Sequence, residues 1–186
     1  MKSFIIFLLP LLFAFTLYGQ GVTVSGKINV TPYEKRKDFW FSTVLIVKDA
    51  KVIASADVDT SCRFKVNMNG VATTGDNMHA DIYVAAVGND TLYIKPIALI
   101  PNSTINCDIE LPNKYNKNVL GDVICPRCNK TENIVPIRRG WTQLVERHIK
   151  NGDTTFTPSS KDYFISGDTG NEFEAYWYCK RCNIKF

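Results

Sequence analysis

Lys51-Val52-Ile53-Ala54-Ser55-Ala56-Asp57-Val58-Asp59-Thr60-Ser61-Cys62-Arg63-Phe64-Lys65-Val66-Asn67-Met68 reads as two short strands around a turn. Val52, Ala54, Ala56 and Val58 recur at every second position, and so do Cys62, Phe64, Val66 and Met68. A period of two sends each set to one face of its strand, so both sets can enter a common core. Asp59-Thr60-Ser61 supplies the polar turn between them. Outward from this pair the pattern repeats. Val22 to Val30, Phe39 to Val47, Asp81 to Val87, Leu92 to Ile100 and Ile105 to Leu111 are β-prone runs. Turn signals such as Asp49-Ala50-Lys51, Gly88-Asn89-Asp90 and Pro101-Asn102-Ser103 separate most of them. About seven short strands at this spacing predict a mainly β protein whose residues 21–112 form an antiparallel β-sandwich.

The same parity sets Cys107 beside Ile105, Ile109 and Leu111 on an inward face. Cys62 and Cys107 are thus both expected to be buried, either bridging two strands or packing as small hydrophobes. An oxidising compartment favours the bridge. That compartment is suggested by residues 1–20, where Lys2 precedes an apolar run from Phe4 to Tyr18 and small Gly19 follows. The run is short for a bilayer span and reads as a secretory signal peptide, with an uncleaved anchor as the alternative. Localisation is therefore expected to be exported: periplasm, cell surface or extracellular space. Any membrane contact would come through that segment if it stays uncleaved. A formal net charge of +4 is too weak a bias to argue for nucleic acid.

Polarity rises through Pro112-Asn113-Lys114-Tyr115-Asn116-Lys117-Asn118, which places a linker at 113–120 and a second domain at 121–186. That domain holds Cys125-Pro126-Arg127-Cys128-Asn129-Lys130 and its echo, Cys179-Lys180-Arg181-Cys182-Asn183-Ile184-Lys185. Two Cys-x-x-Cys turns can give the four thiolates of a tetrahedral Zn2+ site, so Cys125, Cys128, Cys179 and Cys182 are the candidate metal ligands. Such a turn asks for a residue tolerant of positive φ after its second cysteine, and Asn129 and Asn183 stand there in both copies. Arg127, Lys130, Lys180, Arg181 and Lys185 surround the cysteines and can offset the charge of four thiolates. Disulfides and thiol redox chemistry are the rival readings of the same four residues. Fifty residues part Cys128 from Cys179, so the insert must have structure of its own. Trp141, Leu144, Val145, His148 and Ile149 fall at the spacing of an apolar helix face, which predicts one short helix ended by Asn151-Gly152.

Two resemblances follow from these residues. Val24-Ser25-Gly26-Lys27-Ile28, Thr43-Val44-Leu45-Ile46-Val47 and Asp57 to Phe64 look like the strands of carboxypeptidase regulatory-like (transthyretin-like) domains. Those domains carry a Thr-Asp-x-x-Gly-x-Phe turn; Asp59 and Phe64 match its ends, while Cys62 stands near the glycine. This resemblance implies a non-catalytic accessory or adhesion module. Cys125-Pro126-Arg127-Cys128, Ile134-Val135-Pro136-Ile137 and Trp177-Tyr178-Cys179-Lys180-Arg181-Cys182 resemble bacterial zinc-ribbon proteins, with asparagines in place of their glycines. That one implies a structural four-cysteine zinc site and no enzymatic assignment.

Residues that would carry catalysis are sparse. His79 and His148 are the two histidines, and each reads as structural. No His-Glu-x-x-His, Gly-x-Ser-x-Gly, P-loop or dinucleotide fingerprint occurs. Zinc closed by four cysteines keeps no open position for water. Asn89, Asn102 and Asn129 begin N-glycosylation triplets that are read as chance matches. The sequence thus points to an exported, non-catalytic zinc-binding protein that binds or scaffolds a protein or glycan partner at the cell envelope, with no nucleic acid. An envelope thiol-disulfide oxidoreductase using one Cys-x-x-Cys pair is the alternative.

Overall fold

The computed structural model describes residues 21–31, 41–69, 79–86, 91–140, 145–158, 162–166 and 175–186. The leader read in residues 1–20 lies outside them. The described residues are mainly strand and contain no helix. Eight strands come first: β1 (Val22–Val30), β2 (Ser42–Lys48), β3 (Lys51–Asp57), β4 (Arg63–Met68), β5 (His79–Ala86), β6 (Leu92–Ala98), β7 (Thr104–Asn106) and β8 (Ile109–Leu111).

They make two four-stranded sheets. In one, β1 lies between β4 and the successive short strands β7 and β8; the other runs β3-β2-β5-β6. Inward residues of both, among them Val24, Ile28, Val44, Ile46, Phe64, Val66, Ile82 and Val84, join in a single buried cluster. The expected antiparallel pairing is met except at β1, which pairs in parallel with both β7 and β8. Parallel neighbours need a long connection, and the seventy-odd residues between β1 and β7 supply it. The single run expected from Ile105 to Leu111 is split because Cys107 and Asp108 leave the ladder. There the Cys107 carbonyl comes so near β1 that a Cβ at Gly26 would stand 2.0 Å from its oxygen.

Parity holds on β4, where Phe64, Val66 and Met68 are buried and the alternate residues exposed. It fails on β3. The β2–β3 register shifts between Ile46 and Val47, so Ala54 faces Ile46 while Val52 faces Val47 and Ile53 is the extra residue. That bulge turns Val52 outward, 57% exposed, and lets Ile53 pack against the core instead.

Cys62 and Cys107 are both buried as expected, but no disulfide joins them. Their backbones flank β1 on opposite sides: the Cys62 carbonyl accepts from Ile28 N–H, and Cys107 N–H donates to the Ser25 carbonyl. Two strand spacings put those backbones ~9–10 Å apart, beyond the ~7 Å Cα limit of a disulfide. Burial pushes the Cys107 thiol up, and the Lys95 ammonium beside it works the other way.

The C-terminal third forms β9 (Ile134–Arg139), β10 (Val145–Lys150), β11 (Asp153–Pro158), β12 (Phe164–Ser166), β13 (Trp177–Cys179) and β14 (Ile184–Lys185). One sheet runs β12-β9-β13-β14, and among the described residues β10 pairs with β11 alone. The helix expected around Val145, His148 and Ile149 is therefore a strand; Trp141 and Leu144 lie outside the described residues. Asn151 (φ 53°) and Gly152 (φ 87°) close a two-residue hairpin instead of ending a helix. Consecutive positive φ values suit the strand twist, and Asn-Gly adopts them readily. Apolar residues spaced three and four apart do not exclude a strand when half of them face water: Ile149 and Phe156 are both exposed on this hairpin.

Candidate metal centre

The two knuckles are built alike. Cys125 follows the short bridge between Lys117 and Val123, and Cys179 ends β13, where it pairs with Ile134 of β9 and Ile184 of β14. In each turn the backbone N–H of the asparagine returns to the first cysteine: Asn129 N to Cys125 O and Asn183 N to Cys179 O, both 2.9 Å. Asn129 and Asn183 adopt φ of 59° and 54°, the left-handed region for which asparagine was singled out. Alanine at Asn129 is accordingly expected to cost about 1 kcal/mol, whereas glycine is tolerated; urea unfolding of the two variants checks this. Lys180 N–H also donates to the Asn133 carbonyl, tying the second knuckle to the loop before β9.

These turns bring the Sγ atoms of Cys125, Cys128, Cys179 and Cys182 within 4.8 Å of one another. Cys125 and Cys182 sulfurs are 3.9 Å apart. A disulfide would need about 2.05 Å. Around Zn2+ with bonds of about 2.3 Å the edge of a sulfur tetrahedron is about 3.8 Å. The donor set is soft, four-fold and closed, which fits a structural metal ion. Among the described residues the group that could hold a metal contains these four cysteines and no histidine. His148 lies on β10 with a ring nitrogen 2.8 Å from Thr157 Oγ1, and His79 is exposed at the start of β5.

The thiols are not equivalent. Cys125 and Cys179 are buried; Cys128 and Cys182 are partly exposed. Burial pushes the Cys125 thiol up to about 11, although the backbone N–H groups of Cys128 and Arg127 point at its sulfur and act against this. Cys182 is also raised, by burial and then by the neighbouring sulfurs. At Cys128 burial acts upward too, but the Lys130 N–H and the adjoining cysteines outweigh it and bring the thiol below its usual range. Cys125 and Cys182, held together without a cation, thus resist ionisation.

The basic residues expected to offset the thiolates are largely engaged elsewhere. Lys180 pairs with Asp162 at 2.7 Å, Arg181 with Glu132 at 3.1 Å, and Lys185 Nζ donates to Ser166 Oγ at 3.1 Å. Arg127 reaches across to β5, where it meets Asp81 at 2.8 Å.

That last contact marks what the sequence did not announce. Asp81 and Tyr83 alternate with core residues Ala80, Ile82 and Val84, so they lie on the outer face of the β3-β2-β5-β6 sheet. Tyr93 on β6 is paired with Tyr83 and shares that face. The cysteine segment covers it: Tyr93 joins Val123, Cys125, Cys179, Ile184 and Phe186 in a second buried cluster, with Tyr83 packed against it. The two tyrosine rings meet edge to face at 5.4 Å, and Asn113 Nδ2 donates to the Tyr93 carbonyl. Only an unexpected aromatic pair on a strand's outward face could have signalled this contact in advance.

Comparison of the chain with protein-family models and with curated proteins found no significant match.

Proposed function

We propose that the chain is an exported, non-catalytic protein in which a structural Zn2+, held by Cys125, Cys128, Cys179 and Cys182, fastens a zinc-ribbon-like segment onto a β-sandwich. The sandwich resembles carboxypeptidase regulatory-like domains and presents its loops to a protein or glycan partner at the cell envelope. The reading rests above all on the four sulfurs gathered within 4.8 Å at a spacing too wide for disulfides. Four thiolate ligands complete a tetrahedron and leave no site for an activated water. Export is read from the apolar leader.

Elemental analysis with thiol titration tests this. One zinc per chain, and four thiols that react only after a chelator is added, is the expected result. A zinc-free chain carrying a reducible Cys125–Cys128 disulfide would replace this reading with the thiol-disulfide oxidoreductase. The lowered, partly exposed Cys128 thiol is the observation that favours that second reading, since a thiolate at the surface is the attacking group in exchange.

A further inference from the structure

Val119 and Leu120 stand at the tip of a small hairpin that does not need them to fold. Its two arms are joined by the Lys117–Val123 bridge and closed by Asn118-Val119-Leu120-Gly121, where Gly121 N–H donates to the Asn118 carbonyl at 3.0 Å. Asn118 at the first position and Gly121 at the fourth, with φ 89°, satisfy this turn, and its two corners accept most residues. Asn118 fixes it further. Its Oδ1 accepts from the N–H groups of Leu120 and Asp122, and its Nδ2 donates to the Asp122 carboxylate. Yet Val119 is wholly exposed and Leu120 is 83% exposed, more than any other large hydrophobic among the described residues. A Cβ added at Gly121 would meet nothing within 4 Å, so the tip projects clear of the chain.

A different chemistry lies behind the tip. Lys114 and Lys117 have no carboxylate partner among the described residues. Lys117 Nζ stands 5.9 Å from the centre of the Tyr115 ring, which is partly exposed and meets Trp177 edge to face. At a strand rise of about 3.3 Å per residue, Lys117 sits about 7–10 Å behind the two aliphatic residues. That matches the ~5–10 Å to which interfacial elements bury their apolar side chains. Aliphatic tip, then aromatic ring and ammonium groups, is the order in which a bilayer edge passes from hydrocarbon to anionic headgroups.

We propose that this tip inserts Val119 and Leu120 into a lipid surface while Lys114 and Lys117 meet anionic headgroups. The proposal goes beyond the function given above and supplies a membrane contact separate from the leader. The two unpaired lysines favour an anionic leaflet over an apolar pocket in a protein, and Asp122, the carboxylate in the turn, is held by Asn118. Because the turn is already fixed by its own hydrogen bonds, insertion orders little new backbone. Two side chains give reversible attachment rather than an anchor.

Flotation of the exported chain with phosphatidylethanolamine–phosphatidylglycerol vesicles should show binding that weakens as salt rises, and much less binding to phosphatidylcholine vesicles. Val119→Ser combined with Leu120→Asn should weaken it by about 100-fold or more. The thermal midpoint should not change, since the tip touches nothing. Lys114→Gln combined with Lys117→Gln should cost about 30-fold. Leu120→Trp keeps the tip apolar and reports on it directly: brominated lipid should quench its emission beyond the quenching of the wild-type tryptophans. Attachment through residues 1–20 alone would not give that result. Equal binding by the Val119→Ser, Leu120→Asn variant and wild type overturns the proposal, and so does an unquenched Leu120→Trp. A wild-type chain that floats with neither vesicle overturns it too, and points the tip to an apolar pocket on a protein instead. Should the double variant melt lower than wild type, quenching in Leu120→Trp decides. The zinc and thiol titration is independent of all these outcomes, so failure here leaves the metal centre standing.

Discussion

Cys179→Ser will abolish tight zinc binding and disorder the chain from about residue 121 onward. Cys179 is fully buried and is the one ligand that also sits within a sheet, paired to both Ile134 and Ile184. Its loss leaves three sulfurs where the proposed structural ion needs four. The apparent binding free energy of structural zinc in small domains is roughly 10–16 kcal/mol and is folding free energy. The β12-β9-β13-β14 sheet is small and has no helix to cover it among the described residues, so little else can replace that term. Limited proteolysis should show early cleavage after 112, with a resistant fragment from the two larger sheets, whose core is mostly their own. Proteolysis indistinguishable from wild type would falsify the structural role of the site. Chelation of the wild-type protein should reproduce the variant's pattern.

The pH dependence should follow the metal. Metal ligands must be deprotonated, so the loaded form weakens as pH falls. Limited proteolysis across a pH series should therefore show the segment from about residue 121 opening first on the acid side, while the first two sheets stay resistant.

Gly26→Ala is the second large effect expected. The added Cβ would stand 2.0 Å from the Cys107 carbonyl oxygen and 2.6 Å from its carbon, with the Phe64 ring 3.1 Å away. Two of these three atoms are backbone, held by the Cys107 N–H bond to Ser25 and by β8 beyond it. Neither strand can yield without breaking the ladder around β1. A loss of about 3 kcal/mol, at the upper end of overpacking effects, should appear as a lower midpoint in urea. A midpoint unchanged within error would mean that β1 and residue 107 are not in contact in solution.

How far the molecule was legible from its residues depended on which signal each part carried. β4 was readable because alternation ran unbroken from end to end, and β1 because Val22, Val24, Ile28 and Val30 keep one parity across the gap at Gly26. β3 was not, because a bulge at Ile53 reverses parity halfway and leaves no trace in composition. Around His148, spacings of three and four imitate a helical face, while Asn151-Gly152 and the following Thr154-Thr155-Phe156-Thr157 carry the stronger hairpin signal. The four cysteines were legible from spacing alone, and the positive φ of Asn129 and Asn183 follows from turn chemistry. What no local pattern could reveal is which outward face becomes covered. Tyr93 reads as a strand residue pointing to solvent until the segment more than thirty positions later folds over it.

The parallel pairing of β1 has a consequence in time. β1 is made first, yet its neighbours β7 and β8 come some eighty positions later, as in the Asn29–Glu110 side-chain bond. At synthesis rates of about 5–20 residues per second, β1 waits roughly 4–16 s for them. β4 arrives earlier and can shield one side, but the other stays an open strand edge through that interval. The nascent chain is thus most prone to mispairing with other chains before residue 111 emerges, and rescue by a holding chaperone would matter most in that window.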